Sequence, residues 1–569
     1  MDFSGADIQS IEEAFQTHRA GGWRRLDAAT LAQHPALLVR AGWHLDVPQG
    51  QFTGAPVDRL LLLLGHAFPK SELRVVAPAL KLGDWPHVES GGVLCLRRTS
   101  WSASAGDRAI ANIADACEIL DFDEARCKAE FAREFSAYWV HMLSAGSAAP
   151  TFMTLMAPEA RSREIFFAKY RKGGRVVLAD DRASLERWLG HIGEKVERRD
   201  IRETRLIWLP EPWTPAEFPL RAQDVFSKAE WGVFNSLLRV GESLPVIFGA
   251  TTETGPVMVG VEVPGGTNKQ YRNGFRPGHV PGAAVAMFTA SQSILRCRLE
   301  RADAAWVHGR DHNAQLAMLA RMTVGIVGCG SLGAAVARLL VQMGVGNFIL
   351  IDSEELTTAN TSRHVLGSGY VRENKAVATR RMLLRDFPHL TSIESLPKLF
   401  QKLVEPDLGS LATCDVVVSA GIDSTGDAVL DHWRRGLANP PVHVCTWVEE
   451  YALAGHAIAL FADDSLLAEF TADGMPNFCL TQWPPAARTV IAEAGCGNVF
   501  QPHGAVDLNN SVGLAAKLVM DVLIGDVTRS CRRAWLGDRT RLVNLGGAPS
   551  AAFNVSNTVK VFAWPDGNV

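Results

Sequence analysis

The sequence predicts an α/β chain built around a parallel sheet, and three observations carry that prediction. From about Trp306 onward, Val/Ile-rich runs (TVGIVG, NFILID, CDVVVSAG, VHVCTWV) alternate with helical stretches. Near-continuous apolar strands of this kind are what a parallel sheet covered on both faces requires. A glycine-rich turn, Gly328-Cys329-Gly330-Ser331-Leu332-Gly333, lies directly between the first run and the Ala/Leu-rich stretch AAVARLLVQMG. Asp352 then closes the second run, about twenty residues after the turn.

The chain has 569 residues, more than one core organises, so about three or four domains are expected. Hydrophobic residues at 47% and charged residues at 21% fit a soluble globular protein. A formal net charge of −4 gives no reason to expect nucleic acid or an anionic membrane as partner. No uninterrupted apolar stretch reaches the roughly eighteen residues of a membrane span. The opening MDFSGADIQSIEEAF is acidic and unlike a secretory signal. Ten cysteines with no CxxC pair argue against a zinc ribbon, a thioredoxin-like motif and a disulfide framework, so the cytosol is expected.

Three segments follow. Residues 1–148 read as a small α+β unit: Ile8, Ile11 and Phe15 stand at helical spacing, and apolar runs occupy 60–64 and 73–76. A Pro/Gly-rich stretch spans 85–92, and Phe131, Phe135, Trp139 and Met142 predict a second amphipathic helix. Residues 149–304 form an α/β linking region: RVVLAD, RLIWLP and GPVMVGVEVPGG predict strands, 184–189 starts a helix, and RNGFRPGHVPG predicts a loop. No internal repeat or chemical motif stands out there, which favours a linking and packing role. Residues 305–569 contain the glycine turn and the alternating pattern.

Glycines after a strand let the backbone approach phosphate, and helix N-terminal amides hold its charge. With Asp352 placed for ribose hydroxyls, the pair indicates a mononucleotide or a dinucleotide, and a dehydrogenase would share it. The continuation decides between them. Asn360-Thr361-Ser362-Arg363, Lys375 in RENKA and Asp423 in AGIDSTGD follow in order. Hydride transfer needs no such series. Carboxylate attack on an α-phosphate does, because triphosphate charge must be held by Arg and Lys and neutralised by magnesium.

In these motifs the stretch from 321 to about 525 resembles the ThiF/MoeB/ubiquitin-activating family. The resemblance implies a Rossmann-like adenylation domain in which Gly328, Gly330, Ser331 and Gly333 cradle ATP and Asp352 binds ribose. It further implies that Asn360, Arg363 and Lys375 grip the phosphates and that Asp423 holds Mg2+. Arg310 in HGRDHN weakly matches the family's upstream arginine that reaches into a partner subunit's site. Members of this family that serve metabolic pathways often carry paired CxxC motifs for zinc. This chain has none, so no zinc is expected.

An acyl adenylate can be captured by a thiol, which must be reactive or exposed. Cys496 in EAGCGNVFQPHGA lies in a Gly-rich stretch before the helical pattern SVGLAAKLVMDVL and matches the place where relatives carry a cysteine. Cys479 in NFCLTQWP stands second. Cys414 and Cys445 lie in strand patterns and read as core thiols, and Cys329 reads as packed beneath the nucleotide.

Near the N-terminus, Phe68-Pro69 precedes LRVVAP, followed by Trp85-Pro86-His87-Val88, Gly91-Gly92-Val93-Leu94-Cys95-Leu96 and Trp101-Ser102. This order resembles the ubiquitin-conjugating fold over roughly 37–142. The resemblance implies that Cys95 accepts the activated carboxyl group and presents it to an amine. His87 stands where that family has an asparagine that donates to the oxyanion, and an imidazole N–H can make the same bond.

A conjugating-like unit ahead of an activating-like one resembles fusions in bacterial antiphage (CBASS) operons. The resemblance implies ATP-dependent activation of the C-terminus of a cGAS-like nucleotidyltransferase or a ubiquitin-like protein. Thioester capture, relay to Cys95 and ligation to an acceptor amine would follow, in a homodimer. Two alternatives remain: an adenylyltransferase for a ubiquitin-like or sulphur-carrier protein with an inactive N-terminal unit, and a nonenzymatic ATP-binding scaffold.

Overall fold

The computed structural model describes residues 4–565 apart from 19–21, 35–37, 49, 53, 144–149, 172–173, 267–273, 277–278, 472–474, 486 and 493–498. The chain divides into two compact units, Met1–Asp181 with Arg199–Glu300, and Arg182–Arg198 with Arg301–Val569. Among the described residues no helix is long and apolar enough to cross a membrane.

The first unit begins with helix Ser4–Thr17 and a four-stranded antiparallel meander. Its strands are Trp23–Arg25, Val39–Asp46, Arg59–Gly65 and Arg74–Val76. Alternation decides the faces. Trp43, Leu45, Leu60, Leu62 and Val75 pack with Ile11 and Phe15 of the first helix and with Ala109 and Ala116 of helix Ala105–Leu120. Leu61, Leu63 and Val76 point the other way and cluster with Val93. The unbroken leucine run in Arg59–Gly65 is therefore explained, because the leucines on both of its faces are buried.

The single amphipathic helix expected around Phe131–Met142 is two helices, Glu124–Arg133 and Phe135–His141, joined at Glu134. The break lets Phe135 and Trp139 enter the core of the following region, where they pack with Trp213 and Phe218. Trp139 Nε1 donates to the Cys297 carbonyl at 3.0 Å.

That region is a closed seven-stranded barrel, which the sequence reading did not foresee. Its strands run in the order Gly255–Val263, Leu295–Arg301, Thr151–Thr154, Arg175–Ala179, Arg163–Tyr170, Arg202–Trp208 and Leu244–Thr252. Closure joins strands far apart in sequence, such as Val261 opposite Arg296 and Leu206 opposite Ile247. Helix Arg182–His191 lies within the 149–304 segment yet belongs to the second unit, where His191 Nδ1 meets the Pro388 carbonyl at 3.0 Å.

The second unit holds an eight-stranded sheet, ordered Ser392–Leu396, Asn347–Ile351, Thr323–Val327, Val416–Ala420, Val442–Val448, Ala454–Leu460, Cys531–Leu536 and Thr558–Ala563. The first five strands are parallel, as expected. The last three extend the sheet antiparallel. Helices Gly333–Met343, Lys375–Asp386 and Ala505–Leu523 cover one face through Val336, Leu340, Leu383, Val512 and Val519. Phe400, Leu411 and Leu430 cover the other.

Candidate functional site

The chain leaves strand Thr323–Val327 toward one side of the sheet for Asn347–Ile351 and Ser392–Leu396, then returns to its other side at Val416–Ala420. Open α/β sheets bind ligands outside the carboxyl ends of the strands at such a reversal. A cleft of ≈ 400 Å³ lies there, lined by Gly328, Gly330, Ser331, Asp352, Asn360, Arg363, Lys375 and Asp423. The structure therefore gathers into one cleft the nucleotide-site residues that sequence reasoning picked from almost a hundred positions, apart from Gly333, which lies behind the turn.

The glycine turn is shaped by two contacts. Gly328 has φ +91°, and a Cβ there would lie 2.7 Å from the Ala420 carbonyl oxygen. A Cβ at Gly333 would lie 1.9 Å from the Gly328 carbonyl oxygen, so the helix can start only if residue 333 is glycine. Gly330 meets nothing within 4 Å and borders the open cleft. Cys329 is fully buried and its thiol is held neutral by burial, as a packed residue beneath the cleft should be.

Asp352 braces this turn. Its Oδ2 accepts the Cys329 amide at 2.7 Å and its Oδ1 the Glu354 amide at 2.8 Å. Burial nevertheless pushes its carboxyl pKa up, against the pull of those amides and of Lys375. Asn360 accepts from the amide and the hydroxyl of Thr357, both at 3.1 Å, which fixes the short 3-10 turn Thr358–Asn360 ahead of Arg363. Asp423 is the N-cap of helix Ser424–Arg435, with Oδ1 taking the Gly426 amide at 2.6 Å. Lys375 opens helix Lys375–Asp386, is buried, and pairs with the exposed Glu354.

Other cleft residues went unread in the sequence. His364 accepts the Leu366 amide on Nδ1 at 3.1 Å, and its Nε2 lies 2.9 Å from the Cys329 carbonyl. With Nδ1 an acceptor, Nε2 carries the proton and donates to that carbonyl. The ring thus supports the glycine turn from below, and burial lowers its pKa. Lys398 pairs with Asp407 at 2.6 Å and borders the cleft with Gln401. Its place just beyond strand Ser392–Leu396 was the available signal, because strand carboxyl ends surround the site. Arg310, with φ +50°, lays its guanidinium over the Trp306 ring at 5.3 Å and does not line the cleft.

The expected acceptor cysteines are placed differently. Cys496 lies outside the described residues. Cys479 is partly buried, with Sγ 3.4 Å from the Pro476 carbonyl; burial and the carboxylates of Glu449 and Glu450 push its thiol pKa up to about 11. Buried Glu449 also anchors the segment after it, accepting the Leu480 amide at 2.7 Å and the Thr481 amide at 2.6 Å. Cys414 and Cys445 are buried in strand-associated positions, and burial raises both thiols.

Cys95 is exposed, and its amide donates to the His87 carbonyl at 2.8 Å. The turn between them is held by Glu89 and Val93, 2.7 Å apart between amide and carbonyl, with Gly92 pressed against Ala77. His87 has φ +58°, and its amide donates to Tyr138 Oη at 2.6 Å. Its ring faces Glu130 at 3.4 Å and Glu134 at 3.8 Å. Partial burial and the charges of Glu89 and Glu134 raise the Cys95 pKa, so this thiol is not activated by its surroundings.

Residues 308–428, which include the turn, Asp352, Lys375 and Asp423, match the family model of the ThiF family. The chain carries a ThiF-family domain. Over 222 residues it is 28% identical to the "ATP-dependent ubiquitin transferase-like protein Cap2" of Pseudomonas aeruginosa (strain BWHPSA011 / Pa011), covering 38% of each chain. Over 102 residues it is 38% identical to the protein of the same name in Enterobacter hormaechei subsp. hoffmannii (strain UCI 50), covering 18% of this chain and 16% of that one. The matches thus span well under half the length of these curated relatives. E. coli MccB with MccA-N7isoASN aligns over 44% of this chain and 65% of that chain, at 17% identity and a TM-score of 0.31. E. coli MccB with ATP aligns over 39% and 63%, at 18% identity and a TM-score of 0.28.

Proposed function

We propose that the ThiF-family domain uses ATP to adenylate the C-terminal carboxylate of a partner protein, and that the activated acyl group passes through thioesters to an amine. The observation that carries this reading is the convergence of Gly330, Asp352, Asn360, Arg363, Lys375 and Asp423 on one cleft. A carboxylate oxygen of the partner attacks the α-phosphorus, the bond to the β-phosphate oxygen breaks, and acyl-AMP and pyrophosphate form. Arg363 and Lys375 oppose the charge that builds on the phosphates. For Lys375 this requires trading Glu354 for phosphate. Asp423 has one oxygen engaged in capping and borders the cleft, so its other oxygen suits Mg2+, which would supply further charge neutralisation there.

A thiol then attacks the acyl carbon and AMP leaves. Cys496 is the proposed acceptor, since Cys479 is disfavoured by burial and its acidic neighbours. Cys95 next takes the acyl group by thiol exchange, and an acceptor amine attacks it to give an amide and free thiol. The exposed Cys95, and the order of helix, antiparallel meander, cysteine-bearing turn and helix, support the conjugating role of 1–148. The partner in this reading is a cGAS-like nucleotidyltransferase or a ubiquitin-like protein, and the working form is a homodimer. The Cap2 relatives are named as ubiquitin transferase-like, which agrees with this chemistry.

A second reading keeps the adenylation and makes 1–148 an inactive docking unit; the raised pKa of Cys95 favours it. Partner-dependent ATP–pyrophosphate exchange tests the adenylation that both readings share. Exchange that needs the partner's free C-terminal carboxylate and disappears in Lys375→Ala supports it. Exchange that persists without a partner, or in Lys375→Ala, contradicts it.

A further inference from the structure

A cavity of ≈ 870 Å³ lies on the face of the four-stranded sheet that turns away from helices Ser4–Thr17 and Ala105–Leu120. One cross-strand row, Arg24–His44–Leu61–Val76, crosses its floor. Arg59 and Lys81 stand at the edges, and Leu80 and Leu82 extend the apolar floor. Arg24, Arg59 and Lys81 are exposed and have no carboxylate partner among the described residues. Among the described residues Asp27 is the one acidic residue of the lining, and its Oδ1 is committed to the Thr30 amide at 2.8 Å. Several unpaired cations around an aliphatic floor are unusual on a chain whose net charge is −4.

Such a surface attracts an acidic ligand and also rewards burial of aliphatic side chains. Among the described residues no Phe, Tyr or Trp lines it, so they offer none of the stacking platforms that single-stranded nucleic acid uses. The groove also reaches the turn that carries Cys95, because Ser90 and Gly91 form part of its wall. We propose that this groove docks an acidic, partly aliphatic segment of a partner protein and thereby holds that protein beside Cys95. Placement beside a working thiol rests on the conjugating reading of Cys95; the docking itself does not.

The test uses the full chain carrying Cys95→Ser, without ATP, so that failure of the relay cannot affect it. A fluorescein-labelled peptide alternating Glu and Leu is titrated by anisotropy, with hydrogen exchange recorded in parallel. The expected result is salt-sensitive binding that protects 78–82 and 90–91. Binding should weaken about tenfold or more in the triple variant Arg24→Glu/Arg59→Glu/Lys81→Glu, and less in the milder triple change to Gln. Circular dichroism confirms that both variants fold. Equal binding by the wild-type and both triple-variant surfaces, equal binding of a Lys/Leu peptide, protection elsewhere, or tighter binding of single-stranded RNA would each overturn the proposal.

Discussion

His364 and Cys329 are joined across the base of the cleft: the buried imidazole donates from Nε2 to the Cys329 carbonyl at 2.9 Å while its Nδ1 accepts the Leu366 amide. The ring holds the glycine turn from one side while Asp352 accepts the Cys329 amide from the other. His364→Ala leaves a buried carbonyl and a buried amide unpaired, at a cost of about 2 kcal/mol. The expected outcome is a lower thermal midpoint with weaker ATP binding, both read by calorimetry.

The same ring gives a pH dependence. Its folded pKa is lowered by burial, so between folded and unfolded states the unfolded chain takes the proton first. The contribution of His364 to stability is present above the unfolded value of about 6.5 and is lost as pH falls below it. Urea melts of the wild type should therefore weaken between about pH 7 and pH 5, and His364→Gln should flatten that part of the profile.

Gly333 and Gly330 should separate sharply on replacement by alanine. At Gly333 the added methyl meets backbone oxygen, so Gly333→Ala displaces the turn and should abolish measurable nucleotide binding. At Gly330 it meets nothing, so Gly330→Ala should keep its wild-type melting temperature and lose only affinity, through crowding of the cleft.

Asp423 couples two roles that isosteric substitution can divide. Asparagine caps helices as well as aspartate does, so Asp423→Asn should stay within about 0.5 kcal/mol of wild-type stability, whereas Asp423→Ala should cost about 1 kcal/mol. Both should reduce partner-dependent pyrophosphate exchange by about a hundredfold, the scale of losing one charge-stabilising group. An Asn variant with full exchange activity would remove Asp423 from the phosphate chemistry.

Asp427 offers the opposite pH sign. Burial pushes its carboxyl pKa up to about 6, assisted by the charges of Asp423 and Asp431. A raised carboxyl stabilises the fold below the unfolded value of about 3.9, and that contribution is lost as pH rises through about 6. Asp427→Asn should therefore melt higher than wild type at about pH 8, with the gap closing toward about pH 4.

The parallel half of the sheet and the polar series around the cleft could be read because each is written locally. Val324, Phe348 and Val417 belong to short unbroken apolar runs, and the glycine turn follows its strand directly. The barrel could not be read this way, since pairing Leu206 with Ile247 is a long-range register. The break at Glu134 was hidden because Phe131, Phe135 and Trp139 keep helical spacing across it. His364 and Lys398 act through tertiary placement: one supports a carbonyl thirty-five positions away, and the other borders the cleft from a loop. The raised thiol of Cys95 likewise comes from burial and from carboxylates that include Glu134, far along the chain.

In the proposed relay, acyl groups activated in the ThiF-family cleft reach Cys95. The most direct measurement incubates the full chain with magnesium, ATP and candidate partner proteins encoded beside it, then resolves thiol-sensitive adducts on non-reducing gels. Wild type should form such an adduct, Lys375→Ala should form none, and Cys95→Ala should hold it at Cys496. ATP consumed in the presence of a partner, with no thioester on either cysteine, would contradict the relay and leave a simple adenylyltransferase.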